Sequence, residues 1–271
     1  MERLIKTIAI TGASSGIGKS LVVQSAQRGW NVACIARNMD ALNLLKIQLE
    51  SEYKINVLIF QGDVSIEENC KSFIKSSISH FGRLDILINN AGMTMRGLFI
   101  ETELSVIKRL MDVNFWGSVY CTKYAIPELI KNKGSVVGVS SIAGFKGLPA
   151  RTGYSASKFA LQGFLESLRN ENLKTGLHVL IACPGYTESN IRKTALNSTG
   201  ESQSETPLDE SSLMSSEEVA DIILKAIDKK RLYIIMTLQG KLAVFINKWF
   251  PKLADKLTYN VIKKEPNSPF S

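Results

Sequence analysis

Apolar positions along this chain fall into short β-branched runs separated by longer stretches with helical spacing. The runs at 5–11, 31–37, 56–63, 85–89, 135–140, 178–183 and 232–236 are almost continuously apolar. That is the pattern of parallel strands buried on both faces. Segments 21–27, 39–53, 66–81, 104–130, 154–172 and 217–229 repeat apolar residues at helical intervals. The last opens with Ser215 and Glu218 in capping-box relation. This alternation predicts an α/β architecture, a doubly wound parallel sheet with helices on both faces. Such sheets bind ligands beyond the carboxyl ends of their strands, which directs attention to the residues following each run.

The rhythm breaks at 197–218, which holds six acidic residues, nine Ser or Thr and no Lys or Arg. Long polar loops in compact chains tend to cover binding sites. We expect one domain over 1–271, with a long loop insertion at 186–216 and a basic amphipathic extension at 239–264. A hydrophobic fraction of 45% against 21% charged residues supplies a sizeable core and excludes a disordered or fibrous chain. No run approaches the roughly 18 apolar residues of a membrane span. The opening MERLIK lacks signal-peptide character, so a cytoplasmic chain starting near Met1 is expected.

Cys34, Cys70, Cys121 and Cys183 form no CxxC pair, and His80 and His178 are the only histidines. Reduced structural thiols and no metal site are expected. Charge is uneven. The net charge is +8, and 223–264 alone carries ten basic residues against Asp228 and Asp255. The remainder therefore sums to zero, unlike a chain that grips nucleic acid along its body. Within that segment apolar residues at 242, 245, 246, 249, 253, 257 and 261 share one helical face, while Lys248, Lys252 and Lys256 share another. Pro251 is expected to divide the stretch into two helices. The apolar face could dock as pocket wall, serve an oligomer interface, or lie on an anionic membrane.

Chemistry gathers after the strands. Thr11-Gly12-Ala13-Ser14-Ser15-Gly16-Ile17-Gly18 follows the first strand and opens a helix, a turn suited to a pyrophosphate at a helix N-terminus. The second strand ends in Ala36-Arg37. Ala36 cannot accept from a ribose 2′-OH, whereas Arg37 can fork onto a 2′-phosphate, which favours NADP over NAD. Ser141 follows the fifth strand, and Tyr154 and Lys158 stand at i and i+4 of a helix, sharing a face. An ammonium beside a phenol of pKa about 10 is expected to lower it.

The set Thr11-Gly-x-x-x-Gly16-x-Gly18, Asn89-Asn90-Ala91-Gly92, Asn114, Ser141, Tyr154-x-x-x-Lys158 and Pro184-Gly185 resembles, in order and spacing, the short-chain dehydrogenase/reductase family over about residues 6–236. The resemblance implies a seven-stranded Rossmann sheet and a catalytic tetrad of Asn114, Ser141, Tyr154 and Lys158. It implies that Gly12, Ser14, Ser15, Gly16, Ile17, Gly18, Arg37, Asp63, Val64, Asn90, Ala91, Gly92, Pro184 and Gly185 line NADP(H), with Tyr154 and Lys158. Asp63 would lie near the adenine, and Thr187 and Ser189 near the nicotinamide carboxamide; the family often has Thr where Ser189 stands. Asn114 would position a water linking Lys158 to solvent.

The implied reaction is hydride transfer between NADP(H) and a carbonyl/secondary alcohol pair, ketone reduction being favoured where NADPH is kept reduced. A hydrophobic small-molecule substrate is expected, with a homodimer or homotetramer and no nucleic-acid partner. Two alternatives are a catalytically idle NADP-binding regulator on the same fold and a nucleotide-sugar epimerase or dehydratase. The intact Ser141, Tyr154 and Lys158 argue against the first; the second normally needs more chain beyond Met236.

Overall fold

The computed structural model describes residues 5–188, 191–192, 194–203, 213–266 and 268–270. Seven parallel strands form one sheet: β1 (Thr7–Thr11), β2 (Asn31–Ala36), β3 (Val57–Gln61), β4 (Ile86–Asn89), β5 (Ser135–Val139), β6 (His178–Cys183) and β7 (Tyr233–Ile235). Their spatial order is β3-β2-β1-β4-β5-β6-β7. The order reverses at β1, which pairs with β2 on one side and β4 on the other. A crevice opens at such a reversal because successive connections leave toward opposite faces.

Alternation along each strand divides the core. Ile8, Ile10, Val32, Cys34, Ile86 and Ile88 face one way, against α1 (Gly16–Gln27), α2 (Met39–Tyr53) and α7 (Ser216–Asp228). Ala9, Ala33, Ile35, Leu87, Val136 and Val179 face the other. There they meet α3 (Glu67–Phe81), α5 (Gly117–Lys131) and α6 (Thr152–Glu171). All four cysteines are buried free thiols. Burial drives the Cys34 thiol up to about 12, so it behaves as a small hydrophobe.

Two features position the site. First, the helix expected at 104–130 is not continuous. It runs as α4 (Leu104–Met111), a wider π-helical turn over Asp112–Trp116, then α5. An inserted residue rotates the following face, and this turn carries the fully buried Asn114. Second, Gly138 in β5 admits α6 closely: a Cβ there would stand 2.3 Å from Leu165 Cδ1. The N-terminal half of α6 is thereby laid across the end of β5.

The tail forms α8 (Leu238–Trp249) and α9 (Pro251–Lys263), with Pro251 opening the second helix. It is attached through one side. A Cβ on Gly240 would meet Ile142 Cδ1 at 2.8 Å, and Asn247 Nδ2 donates to the Phe145 carbonyl at 2.9 Å. Lys146 pairs with Asp255. The apolar stripe points away from these contacts: Leu242, Phe245, Trp249, Leu253, Leu257 and Val261 are each between 45% and 61% exposed. No helix of the described residues is long and apolar enough to cross a membrane.

Candidate active site

A cleft of about 540 Å³ opens at the carboxyl ends of the strands, across the point where the order reverses. At one end the chain leaves β1 through a turn that only glycine fits. Gly12 has φ +66°, and a Cβ on it would stand 2.8 Å from Ala91 Cα; one on Gly18 would stand 2.1 Å from the Gly12 carbonyl oxygen. Asn90 ties this turn to β4, donating from Nδ2 to the Thr11 carbonyl at 2.9 Å. Thr11 Oγ1 accepts from the backbone N–H groups of Asn90 and Ala91 at 3.0 and 2.9 Å. Ser15 holds the N-cap position of α1 without a side-chain capping bond, and the first turn has no acidic residue. The positive end of that helix is thus not compensated by its own capping residues.

Ser14, Gly16, Ile17, Arg37, Asp63, Val64 and Gly92 line the same cleft. Arg37 is exposed and has no salt-bridge partner among the described residues. Asp63 Oδ1 accepts from the Ser65 backbone and hydroxyl at 2.9 and 2.8 Å, which fixes its turn. Pro184, Gly185 and Thr187 line the opposite wall. Thr187 Oγ1 is held by the Gly185 carbonyl at 3.1 Å. Ser189 lies outside the described residues.

Midway along the cleft stand Ser141, Tyr154 and Lys158. Ser141 caps a short 3-10 turn, its Oγ accepting from the Ala143 N–H at 3.2 Å. The Lys158 ammonium donates to the Val139 carbonyl at 2.9 Å and lies 5.8 Å from the centre of the Tyr154 ring. Burial lowers the Lys158 pKa to about 8.

Asn114 does not line the cleft. Its amide grips the Met93 backbone, accepting from the N–H at 2.8 Å and donating to the carbonyl at 2.9 Å. It also donates to Ser157 Oγ at 2.9 Å. Gly92 separates it from Lys158, since a Cβ there would meet Asn114 Oδ1 at 3.3 Å and Lys158 Nζ at 3.5 Å.

One expectation is corrected. Tyr154 does not have a lowered pKa in the protein alone: burial raises it, with a hydrogen bond to Ser141 and the charge of Arg151 acting downward more weakly. The neighbouring ammonium already gives a hydrogen bond to Val139, and desolvation outweighs the lowering influences.

Sequence reading missed Gln162, one turn beyond Lys158 on the same face, which holds the serine turn. Its Nε2 donates to Ser140 Oγ at 2.9 Å and to the Ser141 carbonyl at 3.4 Å. The spacing 154, 158, 162 was a readable signal. Arg96, Arg151 and Arg192 were also missed; they line the cleft with Met95, Leu148 and Ile191.

A family model described as short chain dehydrogenase matches residues 6–199. The chain belongs to that family. Among curated relatives, this short chain dehydrogenase is 42% identical over 187 residues to 11-beta-hydroxysteroid dehydrogenase-like 2 of Arabidopsis thaliana, covering 69% of this chain and 60% of that protein. It is 37% identical over 247 residues to 11-beta-hydroxysteroid dehydrogenase A of Arachis hypogaea, covering 90% of this chain and 69% of that one. The matched region thus spans about three fifths of the length of the Arabidopsis relative.

Two solved structures share the fold. An alcohol dehydrogenase of Thermococcus sibiricus complexed with 5-hydroxy-NADP superposes with TM-score 0.75 at 24% identity, covering 85% of this chain and 94% of that one. A short chain dehydrogenase/reductase of Burkholderia phymatum in complex with NAD gives 0.82 at 21% identity, covering 93% and 96%.

Proposed function

We propose that this short chain dehydrogenase is an NADP(H)-dependent oxidoreductase that reduces a ketone on an apolar body to a secondary alcohol. The carrying observation is one cleft lined at one end by the glycine turn and Arg37 and in the middle by Ser141, Tyr154 and Lys158. Support for a dinucleotide comes from the uncompensated start of α1 and the tight approach at Gly12 and Gly18. Arg37 with Ala36 supports a 2′-phosphate on that dinucleotide.

In this reading Gly12, Ser14, Ser15, Gly16, Ile17 and Gly18 would hold the pyrophosphate and Asp63 with Val64 the adenine. Lys158 would hold the nicotinamide ribose, and Thr187 the carboxamide. The bound group supplies the hydride that goes to the carbonyl carbon. Tyr154 gives its phenolic proton to the carbonyl oxygen; a phenol raised by burial keeps that proton through neutral pH until the oxygen becomes basic. Ser141 Oγ, whose lone pair already accepts from Ala143, donates to the same oxygen and stabilises its developing charge. Asn114 acts as a positioning residue, holding Met93 and, through Ser157, the first turns of α6. The test is NADPH consumption with a ketone panel, followed by absorbance.

The reading includes one domain with its mouth framed by the tail and the 186–216 insertion, of which 189–190, 193 and 204–212 lie outside the described residues, together with a cytoplasmic location and a homo-oligomer. It also includes peripheral contact of α8 and α9 with an anionic membrane. The exposed apolar stripe is flanked by Lys241, Lys248, Lys252 and Lys256, a pattern that pairs hydrocarbon contact with anionic headgroups. Co-sedimentation with phosphatidylserine vesicles that weakens as salt rises supports it. Indifference to such vesicles, with a concentration-dependent dimer lost on Trp249→Glu, assigns the face to a second copy instead.

A further inference from the structure

Two arginines of the cleft share one internal carboxylate. Among the described lining residues Asp63 is the one acid, and Arg96 and Arg151 line the cleft together with Tyr154. Glu265, from the tail beyond α9, serves both of these arginines at once. Its carboxylate accepts from Arg151 Nη2 at 3.2 and 3.0 Å and lies 3.5 Å from Arg96 Nη2. Arg96 Nη2 also donates to the Pro266 carbonyl at 2.7 Å. All three side chains are nearly shut off from water, at 10%, 14% and 3% exposure for Arg96, Arg151 and Glu265.

Among the described residues one carboxylate serves two guanidiniums, which leaves a positive charge over. Each arginine also keeps one buried nitrogen with no acceptor, Nε of Arg96 and Nη1 of Arg151. Two buried cations that share one counter-charge and keep idle donors are costly, and sites carry such groups where a ligand completes them. Burial pulls the Arg96 pKa down, and the charge of Arg151 adds to that pull against the opposing effect of Glu265. A carboxylate in the cleft would supply the second negative charge to the two guanidiniums, through donors other than those two sealed nitrogens.

We propose that Arg96 and Arg151 hold a carboxylate on the substrate, which makes the compound reduced an oxo acid with an apolar body. This inference rests on the carbonyl-reductase reading and names its substrate class. Arg151 is the N-cap residue of α6, three positions before Tyr154, and both line the cleft. Its charge is felt at the phenols of both Tyr154 and Tyr186. A substrate carboxylate on Arg151 would share the cleft with a carbonyl held by Tyr154 and Ser141. Met95, Leu148 and Ile191 supply apolar lining to the same cleft.

The test titrates the full-length, NADP⁺-loaded protein with benzoylpropionate and with its methyl ester by calorimetry. The acid is expected to bind at least about tenfold more tightly than the ester, as a charge-assisted bond to a desolvated arginine implies. Arg151→Gln and Arg96→Gln should each erase that preference while changing the Kd for NADP⁺ by less than about threefold. Glu265→Gln should tighten the acid and leave the ester unchanged, because the guanidiniums lose their internal partner. This last variant decides the matter if an arginine variant fails to fold.

Equal or tighter binding of the ester overturns the proposal. So does binding of neither compound at millimolar concentration, or an acid preference that survives both arginine substitutions. Failure to bind NADP⁺ overturns the reductase reading and this inference with it; normal NADP⁺ binding with ester preference strikes the oxo-acid assignment alone.

Discussion

Lys158 reaches from α6 to the carbonyl oxygen of Val139, the last residue of β5, with a 2.9 Å hydrogen bond. That bond pins a helix face to a strand end and sets Tyr154 beside the Ser141 turn. It also leaves a buried ammonium with a pKa lowered to about 8, from an ordinary 10.5.

The lowered Lys158 pKa makes stability depend on pH. Between about pH 8 and 10.5 the unfolded lysine keeps a proton that the folded one has released. The unfolded state then binds more protons, so folding stability rises with pH through that window. Lys158→Met removes the penalty for burying the charge, which is present in full below pH 8 and is on the order of 3 kcal/mol. The Tm advantage of the variant over the unliganded parent should shrink as pH climbs from 8 to 10; a difference constant with pH would show that Lys158 is not burdened by burial.

Arg37→Asp should invert cofactor preference by exchanging a phosphate partner for a ribose acceptor. The quantity to measure is kcat/KM with NADPH and with NADH. A ratio of the two that does not move would mean that Arg37 faces solvent in the complex.

Gly138→Ala should push α6 away from β5, because the added methyl would stand 2.3 Å from Leu165 Cδ1. A loss of about 1–3 kcal/mol is expected from overpacking, read from urea denaturation. Turnover should fall more than NADPH affinity, since α6 carries Tyr154 and Lys158 and the glycine turn does not move. Equal losses would place the strain elsewhere.

Much of this was legible along the chain. All seven strands follow from their apolar runs, because a sheet covered on both faces demands continuous hydrophobicity. The π-helical turn at Asp112–Trp116 was not legible, since one inserted residue barely disturbs apolar spacing averaged over 104–130. The tail stripe could be read, but which way it faces depends on Gly240 meeting Ile142, a contact between distant segments. The pairing of Arg151 with Glu265, 114 residues apart, left no local trace at all. For Tyr154 the spacing to Lys158 correctly placed the two side chains near each other, yet the balance of desolvation against charge needed the folded surroundings.

The most direct test of the central claim follows deuterium from NADPH labelled at the nicotinamide C4 into the product of a panel of oxo acids and aryl ketones. The account predicts an alcohol carrying one deuterium on the former carbonyl carbon. It further predicts a drop of 10²–10⁴-fold in kcat for Tyr154→Phe, the contribution typical of a general acid, with NADPH affinity within a few-fold. A variant that keeps more than about a tenth of the turnover would remove Tyr154 from the proton step. Tight NADPH binding with no labelled alcohol from any carbonyl would contradict the account and leave a nucleotide-binding protein without this chemistry.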